Sequence, residues 1–382
     1  MKPVRVTAIV LTATMALLGT ACGDDDDGRG AAGTVTGSGT SVVGAGAVTD
    51  EAISPERCEA NKAAGTITYL SSFDFAATPS IVDVVMADHQ GYFDDLCLDV
   101  DMKSSFSTAN YPIVAANQAQ FSSAGSYTEL LRFAKDGARL VAMVQYGKSN
   151  ISALLVRDDG AVKEVTDLKG KTIGVKGALP PAQVAQLNKA GLVEGEDYRV
   201  VLLEGFDPRA HLEQPIDALP VYKSNEPGQL DRAGISYRLF DPSDEGIPGS
   251  FGILYTNGQF LDDHPTAAQD FVRASLKGME DAIADPEAAV AASLEMIRAG
   301  GNKNFLSEEG ESYRWQVEKD LVEQAKGDLP IGVIDPVLLQ AEVDAYTEAG
   351  VFDTAPSIDG TYRVDLAAEA YGPDGKVIFP GA

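Results

Sequence analysis

Within residues 217–230, D-A-L-P-V-Y-K-S-N-E-P-G-Q-L, an aromatic, an amide and a carboxylate stand within five positions as Tyr222, Asn225 and Glu226. Such a set can stack on the face of a small cyclic ligand and hydrogen-bond its edge. Pro227 biases the residue before it toward extended backbone, so Glu226 is expected on an ordered loop past a short strand. Open α/β sheets place ligand contacts at such strand ends. A solvated strand-to-helix loop is the competing reading of the same residues. A second group lies far upstream: Ser72, Phe73, Asp74 and Phe75 follow one apolar run, Phe106 a second and Ser123 a third. Their serines serve equally as helix caps or turn residues, and Asp74 as a cap or a contact for a ligand amine.

The elements that must position these groups alternate along the chain. Residues 66–70 (T-I-T-Y-L) read as a strand and 79–88 as a helix opened by Pro79. Strands follow at 98–102, near 120–123 and at 139–145, with a helix at 127–135 between the last two. Three successive strand ends thus present Ser, Phe, Asp or Gly, the way a doubly wound sheet assembles a pocket. The pattern resets at 146–150. Residues 150–245 then form a block of normal domain size, with strands at 151–157, 172–175, 198–203, 216–222 and 236–240. A second crossing is expected at 246–252, where Ser250 and Phe251 complete the candidate site, and mostly helix follows.

Composition limits the partners. With 382 residues and 45% hydrophobic content, the chain can bury two cores. A formal charge of −27 repels nucleic acid and anionic headgroups, so neither is expected as a partner of the folded part. His89, His211 and His264 are isolated, no metal-spaced cluster occurs, and no nucleophile, base and orienting group share a local motif. The expectation is no cofactor, no metal and no catalysis.

The first 21 residues read as a signal peptide: Lys2 and Arg5, an apolar run at 8–18, then Gly19-Thr20-Ala21 before Cys22. L-G-T-A-C resembles a bacterial lipobox, which makes Cys22 the lipidated first residue of an extracytoplasmic, membrane-anchored protein. Residues 22–60 open with four aspartates, continue with Gly, Ala, Ser and Thr, and are expected to form a flexible tether. Cys58 and Cys97 remain, near the starts of neighbouring strands. In an exported chain they are either joined in a disulfide or present as two free thiols.

Three segments carry a wider resemblance. G-Y-F-D-D-L-C-L-D-V-D-M at 91–102, D-L-K-G-K-T-I-G-V at 167–175 and the long segment from His264 to Val290 occur in the order found in substrate-binding proteins of ABC importers. They resemble the branch that binds nitrate, taurine, alkanesulfonates and the pyrimidine precursor of thiamine, over roughly residues 65–349. The resemblance implies an α/β fold of two doubly wound lobes joined by two crossings, periplasmic-binding-protein-like of type II. Lobe 1 would be 61–148 with 249–382, and lobe 2 would be 149–248. It implies a monomer that closes on a small molecule and hands it to an ABC permease and ATPase, with the membrane touched through the lipid alone. N-E-P at 225–227 is similar to an element of the pyrimidine-precursor subgroup, which would put Asn225 or Glu226 on polar ring atoms. Two departures weaken that assignment and admit a sulfonate- or nitrate-type anion or a flavin as ligand. Gly249-Ser250-Phe251-Gly252 replaces an F-Y-G-D-like segment, and Pro180-Pro181 stands where relatives often offer N–H donors to an oxyanion. An intracellular pyrimidine synthase shares the fold, so an enzyme is the other class, and a sensor or surface interaction module a third.

Overall fold

The structure, a computed structural model, describes residues 48–380 apart from 135–136 and 304–305. The expected signal peptide, the expected lipidation site Cys22 and residues 22–47 of the expected tether lie outside the described residues. Ten strands follow in order: β1 (Thr66–Leu70), β2 (Asp99–Lys103), β3 (Phe121–Ala124), β4 (Leu140–Gly147), β5 (Ser152–Arg157), β6 (Thr172–Val175), β7 (Arg199–Leu202), β8 (Ala218–Tyr222), β9 (Tyr237–Phe240) and β10 (Phe251–Asn257). They build two five-stranded sheets, ordered β2-β1-β3-β10-β4 and β7-β6-β8-β5-β9.

Each sheet is parallel except for one internal strand. β10 runs antiparallel to β3 and β4, and β5 runs antiparallel to β8 and β9. These are the first strands after each passage between sheets, through residues 148–151 outward and 241–250 on return. A strand entered from the other sheet needs no crossover helix to reverse direction, so mixed pairing follows from the connectivity. β4 is buried along all eight residues although it ends its sheet. The tail covers its edge: the Ala142 N–H donates to Thr361 O, the Gln145 N–H to Gly332 O and the Arg363 N–H to Ala142 O.

The helix Pro265–Ala284 is the main support of the first sheet, with Pro265 in its first turn and fourteen of its twenty residues buried. Phe271 stacks on Phe121 of β3 at 3.9 Å between ring centroids. Gly278 lets this helix meet the helix Val82–His89, since a Cβ there would lie 2.1 Å from Asp83 O. Trp315, in the helix Glu308–Ala325, is buried and donates its indole N–H to Ala282 O at 3.0 Å.

The end of the tether expected at 22–60 is ordered instead. Pro55–Lys62 form a helix, capped by the Ser54 hydroxyl and held by Arg57 and Asn61 against Asp270. Its residues are mostly charged and polar, and the partners that order it, Asp270, Leu96 O and Cys97, all lie outside the segment. Cys58 of this helix is bonded to Cys97 before β2. No helix among the described residues is long and apolar enough to cross a membrane.

Asp83 is a carboxyl with no exposed surface that accepts the Tyr146 hydroxyl at 2.7 Å. Burial pushes its pKa up to about 7, against which the Tyr146 hydrogen bond pulls down. A folded-state pKa raised above the unfolded one stabilises the fold fully below about pH 4, and that contribution is lost as pH rises through 7. Asp83→Asn keeps an acceptor for Tyr146 and cannot titrate. The melting temperature of the native chain is therefore expected to fall relative to Asp83→Asn between pH 4 and 8, and parallel curves would refute the assignment.

Candidate functional site

Between the sheets lie two adjoining cavities, of about 280 and 700 Å³, that share Ser107, Thr108, Gly125, Ile151 and Tyr222 in their walls. The smaller is walled by Ser72, Phe73, Phe106 and Phe251 from the side of the first sheet and by Tyr222 and Asn225 from the second. Backbone pairing fixes the aromatic wall. The Asp74 N–H donates to Ser105 O and the Ser107 N–H to Ser72 O, which sets Phe73 opposite Phe106 with ring centroids 6.1 Å apart, edge to face. Phe106 and Tyr222 are each 51% exposed, large apolar surface left open within the cleft.

Pro79 and Ser80 also line this cavity, in a loop before the helix Val82–His89 rather than inside a helix starting at Pro79. Ser80 takes the left-handed conformation at φ 68°. The loop lies so close to β10 that a Cβ on Gly252, itself at φ 62°, would stand 2.8 Å from Pro79 Cβ. Glycine is required there for the two walls to meet.

Four of the predicted contact residues do not reach the cavities. Glu226 has no exposed surface and opens the helix Glu226–Arg232, not a loop. Pro227 lies in the first turn, where its missing N–H costs nothing. One Glu226 oxygen accepts from Lys176 Nζ and the other from the Tyr222 N–H at 2.9 Å, so the carboxylate closes the β8 turn. Asp74 is buried, with φ 51°, and accepts the Asn302 N–H. Phe75 belongs to the first core. Ser123 is buried under Tyr69, whose hydroxyl lies 3.5 Å from Ser123 Oγ. Ser250 lines the larger cavity and accepts the Tyr127 N–H at 2.9 Å, while burial raises the pKa of Glu342 behind it.

The larger cavity mixes polar and apolar walls. It holds Ser126, Glu129, Asn150 and Ser152, with Arg132 and Lys176 at its wall. Burial pushes the Glu129 pKa up, while the Ser107 hydroxyl, donating at 2.9 Å, pulls it down. Ala178 to Ala182 close one end, and the helix beginning at Pro181 offers no N–H from either proline. Among the described residues no group of three or more His, Cys, Asp or Glu side chains is placed to hold a metal ion.

One part of the smaller cavity's wall carries no strand-end signal in the sequence. Arg314 and Glu318, from Glu308–Ala325, both line it. The Arg314 guanidinium lies 5.6 Å above the Phe73 ring centroid, pairs with Glu311, and donates to Asn225 Oδ1 at 3.2 Å. Glu318 accepts Ser224 Oγ–H at 2.5 Å from one wall and the Thr78 hydroxyl from the other. Burial raises its pKa, and the Ser224 and Thr78 hydrogen bonds oppose the rise. The available signal was an Arg and a Glu spaced i, i+4 beside the only tryptophan, which reads equally as a solvated ion pair.

Two mixed α/β sheets joined by two passages around an interior cleft are the architecture of type II periplasmic binding proteins. The chain belongs to the NMT1/THI5-like family, whose model matches residues 78–289, more than half of its length. Over 152 residues it is 31% identical to the riboflavin-binding protein RibY of Chloroflexus aurantiacus, a match covering 38% of this chain and 42% of that protein. The chain thus spans less than half the length of this curated relative. The periplasmic aliphatic sulphonate binding protein SsuA of Escherichia coli superposes with a TM-score of 0.55 at 16% identity, covering 78% of this chain and 91% of that one. The desulfurization enzyme DszB superposes with a TM-score of 0.53 at 15% identity, covering 79% and 97%. At such identities the likeness is one of fold, and the fold hosts binding proteins and an enzyme alike.

Proposed function

We propose that this protein is a lipid-anchored, extracytoplasmic solute-binding protein that captures a planar heteroaromatic nutrient and delivers it to an ABC permease and its ATPase. The carrying observation is the convergence of Phe73, Phe106 and Tyr222 on the smaller cavity, while the larger one beside it adds hydroxyl groups, Asn150 and the charged Glu129, Arg132 and Lys176. Ligand sites of roughly 300–1,000 Å³ hold drug-sized molecules, so the two chambers together suit a ring system with a polar extension better than a single pyrimidine ring. Glu226, the residue that favoured the thiamine pyrimidine precursor, is fully buried and paired with Lys176 of the larger cavity's wall, and lines neither cavity itself. The likeness to a riboflavin-binding protein supports the same direction, toward a flavin. A sulfonate or nitrate is disfavoured by the two prolines at the helix start and by Glu318 in the cavity wall. Lobe closure over the ring, as a monomer, is the mechanism this reading requires.

Calorimetry with riboflavin, the aminopyrimidine precursor, taurine and nitrate tests it. Riboflavin is expected to bind most tightly. Tight anion binding without heteroaromatic binding would sink the proposal. Because Phe106 and Tyr222 are half exposed, replacing either by alanine is expected to leave stability nearly unchanged. Each is expected to weaken riboflavin about tenfold, the loss of one stacking contact of about 1.4 kcal/mol.

A further inference from the structure

We propose that Arg314 and Glu318 are the specificity-determining pair of the cleft, reading an adjacent hydrogen-bond acceptor and donor on the edge of a planar ring. The assignment rests on the heteroaromatic reading above and deepens it. Both side chains come from one turn of the helix Glu308–Ala325, and i, i+4 spacing places them on the same helix face. Both residues are almost completely buried, at 5% and 4% exposure, yet both border the cavity.

Their chemistry is complementary and fixed in place. A guanidinium donates in a planar fork, and here its plane is steadied by Glu311, by Asn225 and by the Phe73 ring. A carboxylate offers about four lone-pair sites, and the hydroxyls of Thr78 and Ser224 each occupy one. The remaining acceptor capacity belongs to a residue bordering a cavity that four aromatic rings, Phe73, Phe106, Tyr222 and Phe251, line together with Ser and Thr side chains. A ring edge carrying C=O beside N–H, such as the imide of a flavin, would take a hydrogen bond from Arg314 and give one to Glu318. An oxyanion would meet Glu318 with like charge, and a ring without an N–H would leave the buried carboxylate underpaired. Glu318 also ties both walls together through Thr78 and Ser224, so the reading group lies where closure is completed.

The test uses the full chain with riboflavin and with riboflavin methylated at the imide nitrogen, which removes the N–H and keeps the ring and the polyol. The wild-type chain is expected to bind the methylated compound at least tenfold more weakly. In Glu318→Gln that penalty should shrink to threefold or less. Arg314→Lys, which keeps the charge and loses the planar fork, should weaken riboflavin itself at least tenfold. Equal wild-type affinities for the two compounds would overturn the assignment while leaving the heteroaromatic reading intact. Failure of the wild-type chain to bind riboflavin at all would remove the reading and the assignment together. The methylation arm needs no variant, so misfolding of a substituted chain cannot obscure the result.

Discussion

Asp270→Ala is expected to destabilise the fold by about 3–5 kcal/mol, the cost of removing one partner from a buried ionic cluster. Asp270 has no exposed surface and accepts Arg57 Nε at 2.7 Å, Arg57 Nη2 at 2.9 Å and Asn61 Nδ2 at 2.7 Å. Arg273 Nη1 stands 3.5 Å from it on the same helix. Taking away the carboxylate leaves two guanidinium groups facing each other without the charge that keeps them there, and burial already lowers the Arg273 pKa. It also frees the helix Pro55–Lys62, which is polar, short and unable to persist alone. Urea unfolding should show a lower midpoint at an unchanged slope. Asp270→Asn, which retains one acceptor, should cost less than the alanine variant. A loss below about 1 kcal/mol for alanine would mean that water already solvates the cluster.

The second large effect concerns the same helix from its covalent side. Cys58 and Cys97 are 39 residues apart, and the loop their bond closes contains β1, the Phe73 wall and the helix Val82–His89. By the chain-entropy relation, opening a loop of that length costs about 4 kcal/mol, since the unfolded ensemble regains the freedom the bond had removed. The Cys58→Ser, Cys97→Ser chain should therefore unfold at a clearly lower denaturant concentration than the oxidised native chain. Reductant should lower the native midpoint by a similar amount and leave the double variant unmoved. Insensitivity of the native chain to reductant would refute the prediction. Because the closed loop supplies Phe73, ligand affinity should fall in the double variant only if the smaller cavity loses its shape with it.

Much of the architecture follows from local patterning. T-I-T-Y-L, L-V-A-M-V-Q-Y-G and T-I-G-V are strands because β-branched and apolar runs bounded by turn residues have few other ways to bury themselves. The crossings expected at 146–150 and 246–252 overlap the passages at 148–151 and 241–250, because the alternation of strand and helix resets there. The residues Tyr146, Gly147, Phe251 and Gly252 belong to β4 and β10 instead. Ser72, Phe73, Phe106, Tyr222, Asn225 and Phe251 were legible as candidates because strand ends open toward clefts in this class of fold. Glu226 shows where such reasoning stops: proline before a helix reads the same as proline in its first turn. The structure separates the two through Lys176, fifty residues away.

The sequence by itself determined the α/β class, the acidity of the chain, and the strand ends around which a site would gather. These depend on residue type and short-range period, which every segment carries within itself. Only the tertiary structure decided which carboxylate meets the cleft. Glu226 lost that place to Lys176, and Glu318 gained it from a helix whose polar residues look solvated until Thr78 and Ser224 close over them. The physical reason is that burial and pairing of a charge belong to the assembled surface around it, and no local pattern of residues encodes the partner that will neutralise it.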